Sequence, residues 1–255
     1  MFNIPKKIVV VSYGTNDSRA QMYYKMLEEQ KAVKMVYGEG YNYPKLCNHG
    51  AQEADSDLIL FLDRSMEVIS PKHIEVLMDS AHKTNIGAVG AKILDENGKI
   101  AECGIVAGLY GTYGSLYTGE DDDSSDIVKN RFINIKRAVM AVSGDCLMIK
   151  SDTFFNMGGF DETIKNPDAA VELCLRLTRK HLTNIYDPYS VMIKHRAFGS
   201  SWERSEDDNM RMYDTLRIVL QKGDPYYNKN YDYACAVPQI AVNPYPPIEL
   251  NEKYK

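Results

Sequence analysis

The chain has 255 residues, of which 44% are hydrophobic and 25% are charged. These fractions are typical of globular proteins, and they exclude collagen-like and intrinsically disordered chains. The formal net charge of −5 provides no basic footprint for a nucleic acid, so we expect no nucleic-acid partner.

Apolar runs and cysteines bear on the cellular compartment. The longest apolar runs, at 8–11 and 58–62, are far too short to cross a bilayer, and no secretory leader is recognised. The five cysteines stand singly, without the close pairs of zinc or redox motifs, which fits reduced thiols. We therefore expect a cytoplasmic protein without a transmembrane segment.

The first part of the chain alternates predicted strands with predicted helices. The strands are predicted at 8–11, 33–37 and 57–62, and the helices begin at Asp17 or Ser18, at Pro44, and at Ser70 with Pro71. This alternation predicts a parallel sheet that is covered by helices on both faces.

After Gly87 the pattern changes to longer predicted strands. These are expected at 86–93, 99–109 and 137–149, with a loop at 111–130 and helices at 167–180 and 205–221. Ser205 and Asp208 form a predicted capping pair, and the segment after Gly223, rich in Tyr, Pro and Asn, is expected to form an irregular strap. The sequence therefore predicts a single unit whose first part has an α/β pattern and whose later part has an α+β pattern.

Several polar residues are candidates for a site, each with a structural alternative. Asp63 ends a predicted strand, where it fits a ligand contact or a turn aspartate equally well. The acidic run 120–123 fits a cation site or a solvated loop, and His195 fits a metal ligand or a structural histidine. The turn at 158–162 carries two carboxylates beside a phenylalanine that fits the core. These residues alone identify no reaction.

The same residues, taken in order, carry a family resemblance. The informative segments are VVVSYGTND at 9–17, LFLD at 60–63, SGDCLMI at 143–149, GGFDE at 158–162, VELCLR at 171–176, His195 and DPYYN at 224–228. In this order and at these spacings, from about residue 7 to residue 231, the chain resembles the family 2 glycosyltransferases.

The resemblance implies a GT-A fold with a mixed sheet, whose parallel N-terminal half is flanked by helices and lacks the usual first strand and helix. It implies one domain over 1–255, with a nucleotide-sugar half at 1–109, an acceptor and metal half at 110–222, and a tail at 223–255. The implied activity, in polysaccharide biosynthesis, is sugar transfer with inversion from a nucleotide-diphospho-sugar, a UDP-sugar, to a saccharide acceptor.

The resemblance also implies the roles of individual residues. The donor-binding positions are Ser12, Asp17, Asn48, Asp63 and Ser65. The acceptor-binding positions are Gly159, Phe160, Asp161, Glu162 and Trp202. Asp63 and His195 match the family's ligands for a divalent cation, Mn²⁺ or Mg²⁺.

The chain departs from the family at the charged positions that the reaction needs. The family's Asp-x-Asp motif falls on Asp63-Arg64-Ser65, so the second carboxylate is missing, and the catalytic base falls on Ala170. Glu172 keeps a nearby acid, but two residues along a helix rotate it by about 200°. Asp168 and Asp161 are the other candidate bases. The divalent cation is therefore expected to bind weakly or not at all.

Three hypotheses follow for the activity. The chain is a working transferase with an unusual ion site, or a catalytically degenerate homologue that binds a nucleotide, a sugar or a protein partner. The third, a Rossmann-type nucleotide enzyme, is disfavoured because no glycine fingerprint follows a strand. A strand edge left open by the missing first strand is expected to be covered by a second subunit or by the tyrosine-rich tail.

Overall fold

The computed structural model describes residues 8–13, 33–38, 42–53, 56–63, 65–70, 72–123, 126–195 and 205–242, with the backbone alone at 8–13, 33–38 and 128. The helix predicted from Asp17 or Ser18 lies outside the described residues, as do the site candidates Asp17 and Trp202.

The described strands are β1 Ile8–Tyr13, β2 Val33–Gly38, β3 Leu58–Leu62, β4 Met66–Val68, β5 Ile86–Asp95, β6 Ile100–Glu102, β7 Ile105–Ala107, β8 Tyr113–Ser115, β9 Arg137–Val139, β10 Cys146–Lys150 and β11 Thr183–Lys194. The described α-helices are α1 Tyr43–Gln52, α2 His73–Ala81, α3 Ile127–Ile133, α4 Ser151–Asn156, α5 Asp168–Arg179 and α6 Glu206–Lys222.

The main sheet is mixed, with the order β2-β1-β3-β10-β5-β11-β4. Two short strands add to it, since β6 pairs with β5 and β9 pairs with β11. β1 runs parallel to β2 and β3, whereas β10 runs antiparallel to β3 and β5. The mixed α/β sheet with a parallel N-terminal part, predicted from the sequence, is thereby confirmed.

β3 shows why its residues form the centre of the core. All five of its side chains are fully buried, as expected for a strand that is covered on both faces. Leu58, Leu60 and Leu62 join a cluster with α2, while Ile59 and Phe61 join a second cluster with residues of α1 and α5. Because successive side chains of a strand point to opposite faces, one apolar run supplies both layers.

Two long strands predicted from the sequence are interrupted, so these predictions were wrong. The segment 99–109 divides at Gly104, whose φ of +92° favours glycine and whose Cβ would lie 2.7 Å from Val139. β6 therefore pairs with β5, whereas β7 pairs with β8 in a separate two-stranded ribbon. The segment 137–149 divides into β9, which pairs with β11, and β10.

The prediction of a loop over residues 111–130 was also wrong in part. It contains β8 and the beginning of α3. The capping pair at the start of α6 is confirmed, because Ser205 and Asp208 form a reciprocal capping box.

The sequence predicts an open strand edge that a second subunit or the tail covers, but both edges of β3 are paired with strands of the same chain. β3 pairs with β1 on one side and with β10 on the other, so its backbone is hydrogen-bonded along both edges. Neither edge of β3 therefore needs a second subunit or the tail, whereas the covering of the outer strand β2 by either of them stays a prediction.

The tail lies on the β7–β8 ribbon as an irregular strap. The backbone amides of Tyr110 and Tyr117 donate to the carbonyls of Tyr233 and Ala236, each at 2.9 Å. Asp224 fixes the beginning of the strap, because its carboxylate accepts the backbone N–H of Ala107 at 2.8 Å. None of the helices in the described part of the chain is long and apolar enough to cross a membrane.

Candidate functional site

Two aspartates meet at the end of β3. Asp63 follows β3 and Asp145 precedes β10, and the amide of Asp63 donates to the carbonyl of Asp145 at 2.9 Å. Each residue is only 4% exposed. The antiparallel pairing of β3 with β10 thus brings two carboxylate residues, far apart in sequence, into one buried place.

A lysine completes this cluster. Lys194 is the last residue of β11, opposite Met66 of β4, and its ammonium forms an ion pair with the carboxylate of Asp145. The next residue, His195, donates its backbone N–H to the carbonyl of Ser65 at 2.9 Å. The ends of β3, β10 and β11 therefore converge on the segment that the resemblance assigns to the ion site.

The electrostatics of the cluster follow from burial and proximity. Burial raises the pKa of Asp63, the nearby charge of Asp145 raises it further, and hydrogen bonds from Ser65 oppose the change. Burial lowers the pKa of Lys194, but the charges of Asp145, Glu102 and Asp63 outweigh it and leave that pKa raised. Lys194 is accordingly a cation at neutral pH.

A cavity of about 430 Å³ opens beside this cluster. Its polar lining residues come from β6, β8, β11, the segment before β10 and the start of α5: Glu102, Tyr113, Ser143, Asp145, Asn166, Asp168 and Lys194. Carboxylate, amide and hydroxyl groups that converge on one cavity can hydrogen-bond a polar ligand with many hydroxyls.

Asp168 is held firmly in the wall of the cavity. The hydroxyl of Tyr113 donates a hydrogen bond to its carboxylate, and the side-chain oxygen of Asn166 accepts its backbone N–H at 2.8 Å. Because Asp168 is the first residue of α5, its carboxylate also lies at the positive end of the helix dipole. It can accept a proton from a ligand in the cavity.

Of the predicted bases, Asp161 and Glu172 do not line this cavity. Glu172 is bound by the guanidinium of Arg176, with Nε 2.7 Å from Oε1, and Arg176 in turn donates to the carbonyl of Gly159. Asp161 is exposed and accepts the amide of Thr163 at 2.9 Å. The structure therefore brings Asp168 to the cavity and uses the other two acids to hold a turn.

Asn48 holds the same turn from the other side. Its side-chain oxygen accepts the amide of Phe160 and its nitrogen donates to the carbonyl of Phe160, both at 2.9 Å. A third hydrogen bond of 3.0 Å reaches Glu162. Phe160 packs in an aromatic cluster with Phe61 and Phe154, and Gly159 has a φ of +74°. In this structure these predicted ligand-binding residues shape the turn and the core.

The imidazole of His195 is directed towards two carboxylates other than Asp63. Its Nε2 lies 2.6 Å from Glu67 and its Nδ1 lies 3.2 Å from Glu96. Within the described residues, no group of three or more His, Cys, Asp or Glu side chains is arranged to hold a metal ion. Ser65 is buried beside Asp63, and Ser12 lies in β1, where it pairs through the backbone with Tyr37.

Sequence reasoning missed Asp145, Lys194 and Tyr113. Asp145 lies inside the SGDCLMI segment, and Lys194 is a charge that ends an apolar run, so both carried a signal. Tyr113 carried none, because it lies in a segment predicted as a loop.

The chain is similar in sequence to parts of longer proteins. No protein-family model matches the chain. The chain is 30% identical over 221 residues to the O-antigen biosynthesis protein RfbC of Myxococcus xanthus, covering 84% of this chain and 17% of that protein. It is 23% identical over 203 residues to the poly-beta-1,6-N-acetyl-D-glucosamine synthase of Staphylococcus aureus, covering 78% of this chain and 45% of that protein. The chain thus spans less than half the length of these relatives.

A solved structure shares the fold. The crystal structure of GalNAc-T7 with UDP, GalNAc and Mn²⁺ superposes with a TM-score of 0.57 and 12% sequence identity. The match covers 85% of this chain and 48% of that chain. At this level of identity the likeness establishes the architecture, including the mixed sheet at whose edge the cavity opens.

Proposed function

Because this chain is a relative of the family 2 glycosyltransferases and has the GT-A fold, we propose that it transfers a sugar from a nucleotide-diphospho-sugar to a saccharide acceptor, with inversion. The donor that we propose is a UDP-sugar, since the GalNAc-T7 structure contains UDP. The names of the two curated relatives support a polysaccharide precursor as the acceptor.

The observation that carries the proposal is the cavity beside Asp63 and Asp145. It is lined by Asp145, whose carbonyl accepts the amide of Asp63 at the end of β3, and ligands of parallel α/β sheets bind at the carboxyl ends of the strands. Its lining offers the carboxylates of Glu102, Asp145 and Asp168 as acceptors for sugar hydroxyls. A volume of about 430 Å³ is within the usual range for small-molecule sites.

Asp168 is the residue that we assign as the general base in place of the missing acid at Ala170. In the transfer, the acceptor oxygen forms a bond to the anomeric carbon while the bond from that carbon to the diphosphate oxygen breaks. The nucleoside diphosphate leaves with the bonding electron pair, and the acceptor proton passes to the Asp168 carboxylate. A positioned base contributes roughly 10²–10⁴-fold to such a step.

The position of Asp168 supports this assignment. Ala170 is fully buried, so its side chain faces the core, while the first turn of α5 brings Asp168 to the cavity. The hydrogen bond from Tyr113 fixes the orientation of the carboxylate and leaves it beside the ligand space. The base that we propose thus lies in the wall of the cavity, which the side chain of Ala170 does not line.

A binding role without transfer is the second candidate, and it is favoured by the neutral residues Ser65 and Ala170 at the family's charged positions. Calorimetric titration with UDP and UDP-sugars, with and without Mn²⁺, followed by an assay of donor hydrolysis and transfer, separates the two functions. We expect UDP to bind and the donor to turn over. Binding without turnover supports the second candidate, and the absence of binding at millimolar UDP contradicts both nucleotide-based functions.

A further inference from the structure

The GT-A family resemblance implies a divalent cation at the Asp63 segment, and the described residues there do not fit one. Ser65 supplies no carboxylate, and its amide occupies Oδ1 of Asp63 at 2.7 Å. Both ring nitrogens of His195 face the carboxylates of Glu67 and Glu96. A hard cation needs several oxygen ligands that converge on one point, and this arrangement does not provide them.

A different positive charge occupies this place. The ammonium of Lys194 is bound to Asp145, whose carbonyl accepts the backbone amide of Asp63. Glu102 and Lys194 line the same 430 Å³ cavity, and both also line a neighbouring cavity of about 310 Å³. The lysine head group therefore lies among three acidic residues, at the meeting point of β3, β6, β10 and β11.

We propose that the Lys194 ammonium is the resident cation of this site, in place of a divalent ion, and that the protein binds its donor without metal. Donor binding without metal rests on the proposed function, whereas the role of the Lys194 ammonium as the cation of this site does not. Lysine is a compact point charge on a flexible stem, so it can compensate buried carboxylates without the fixed coordination that Mg²⁺ demands.

The inference predicts what happens when the lysine charge is removed. Without it, the carboxylates of Asp63, Asp145 and Glu102 remain together and uncompensated in a partly buried place. Such a group of oxygens is the environment that Mg²⁺ and Mn²⁺ prefer. In the natural chain the described acidic side chains are not arranged to hold a metal ion, and the Asp145 carboxylate is bound to Lys194. A neutral residue at position 194 releases that carboxylate, so it should be able to turn towards Asp63 and Glu102 and create a divalent-cation site that the described part of the natural chain lacks.

The test is a titration with Mn²⁺ alone on three proteins: the natural chain, Lys194→Met and Lys92→Met. Lys92 is the matched control, because its ammonium is also mostly buried and lies 2.5 Å from Asp122, but it does not line the cavity. We expect only Lys194→Met to bind Mn²⁺, both by calorimetry and as a higher melting temperature in Mn²⁺ than in EDTA.

Each outcome decides the inference. Saturable Mn²⁺ binding by the natural chain that is lost in Asp63→Asn overturns it, and so does a folded Lys194→Met that binds no Mn²⁺. If Lys194→Met is unfolded in EDTA, recovery of the native circular dichroism in Mn²⁺ supports the inference, and persistent unfolding in Mn²⁺ counts against it. Lys194→Arg, which keeps the charge, should bind no Mn²⁺.

A second arm compares UDP binding by the natural chain in EDTA and in Mn²⁺. We expect affinities that agree within about twofold, and a gain of about tenfold or more in Mn²⁺ would overturn metal-independent binding. If UDP binds in neither condition, the proposed function fails, while the Mn²⁺ titrations still decide the role of Lys194. The two failures are therefore distinguishable.

Discussion

The amide of Asp63 donates a hydrogen bond of 2.9 Å to the carbonyl of Asp145, which extends the β3–β10 ladder one step beyond its last paired residues. This bond places the carboxylate that pairs with Lys194 directly beside the end of β3. The sheet thus fixes the relative positions of three charged side chains through backbone pairing, and each of them can be tested by substitution.

Replacing Asp145 with asparagine should destabilise the fold. The change leaves the ammonium of Lys194 without its carboxylate partner in a place that is largely buried. We expect the free energy of unfolding to fall by about 1–3 kcal/mol, measured by chemical denaturation. The control is Asp121→Asn, which removes an exposed partner of Lys99 and should leave the free energy of unfolding almost unchanged. Equal losses in both variants would contradict the buried role of Asp145.

Asp168→Asn should abolish most of the transfer activity that we propose. The side-chain amide of asparagine cannot take up the proton from the acceptor hydroxyl. We therefore expect turnover to fall by roughly 10²–10⁴-fold with little change in UDP affinity. Asp161→Asn is the matched control, because Asp161 is exposed and bonds to Thr163 outside the cavity. A fall in turnover with Asp161→Asn and not with Asp168→Asn would refute the assignment of the base.

Asn48→Ala should destabilise the turn at 158–162 without a direct effect on the cavity. The variant loses two hydrogen bonds to the backbone of Phe160 and one to Glu162. We expect a loss of about 1–3 kcal/mol in the free energy of unfolding, because the backbone groups of Phe160 lose their partners. Glu162→Ala removes only the last of these bonds and should cost less than half as much. A large loss of UDP affinity in a stable Asn48→Ala protein would instead support its predicted donor contact.

His73 should make the protein less stable as the pH falls. The residue is buried in α2, and burial lowers the pKa of its imidazole from 6.5 to about 4. Since the unfolded chain binds the proton more tightly, the contribution of His73 is complete above pH 6.5 and is lost as the pH falls towards 4. Relative to His73→Gln, the natural chain should lose up to about 3 kcal/mol over this window in urea denaturation. A constant difference between the two proteins would contradict this prediction.

Asp224 should act in the opposite direction. Burial raises the pKa of its carboxyl from 3.8 to about 6, although the amides of Tyr226 and Ala107 oppose the change. Here the folded chain binds the proton more tightly, so stability declines as the pH rises from about 4 to 6. Compared with Asp224→Asn, the natural chain should lose up to about 3 kcal/mol across this rise, again measured in urea. An increase in relative stability over the same range would show that the carboxylate is favoured in the folded state.

The sequence predicts those parts of the fold that depend on local pattern. β3 follows from five consecutive apolar residues, α5 from its helical spacing, and the start of α6 from the Ser205 and Asp208 capping pair. The breaks at Gly104 and before β10 depend on which strand each half pairs with, and this is decided by contacts far away in the chain. Local propensity cannot reveal such pairing.

The candidate site shows the same division. Asp63 and Asp168 could be identified from their places at the end of a strand and the start of a helix. The partners that give them their setting are distant, since Lys194 is 49 residues from Asp145 and Tyr113 is 55 residues from Asp168. A single sequence gives no indication of these pairs, so the internal cation and the orientation of Asp168 emerge only from the folded chain.

The strap has a consequence for Asp168, the carboxylate that we propose as the base. Tyr113 lies on the β7–β8 ribbon between Tyr110 and Tyr117, whose amides are bonded to the strap. The ribbon is also bonded to the rest of the chain between Ile105 and Ala141, so detachment of the strap would remove part of its support. We expect this loss to loosen the hold of the Tyr113 hydroxyl on Asp168. The role that we propose for Asp168 thus depends on the strap remaining bound to the ribbon. Amide hydrogen exchange would register a transient opening as one cooperative event in ribbon and strap together.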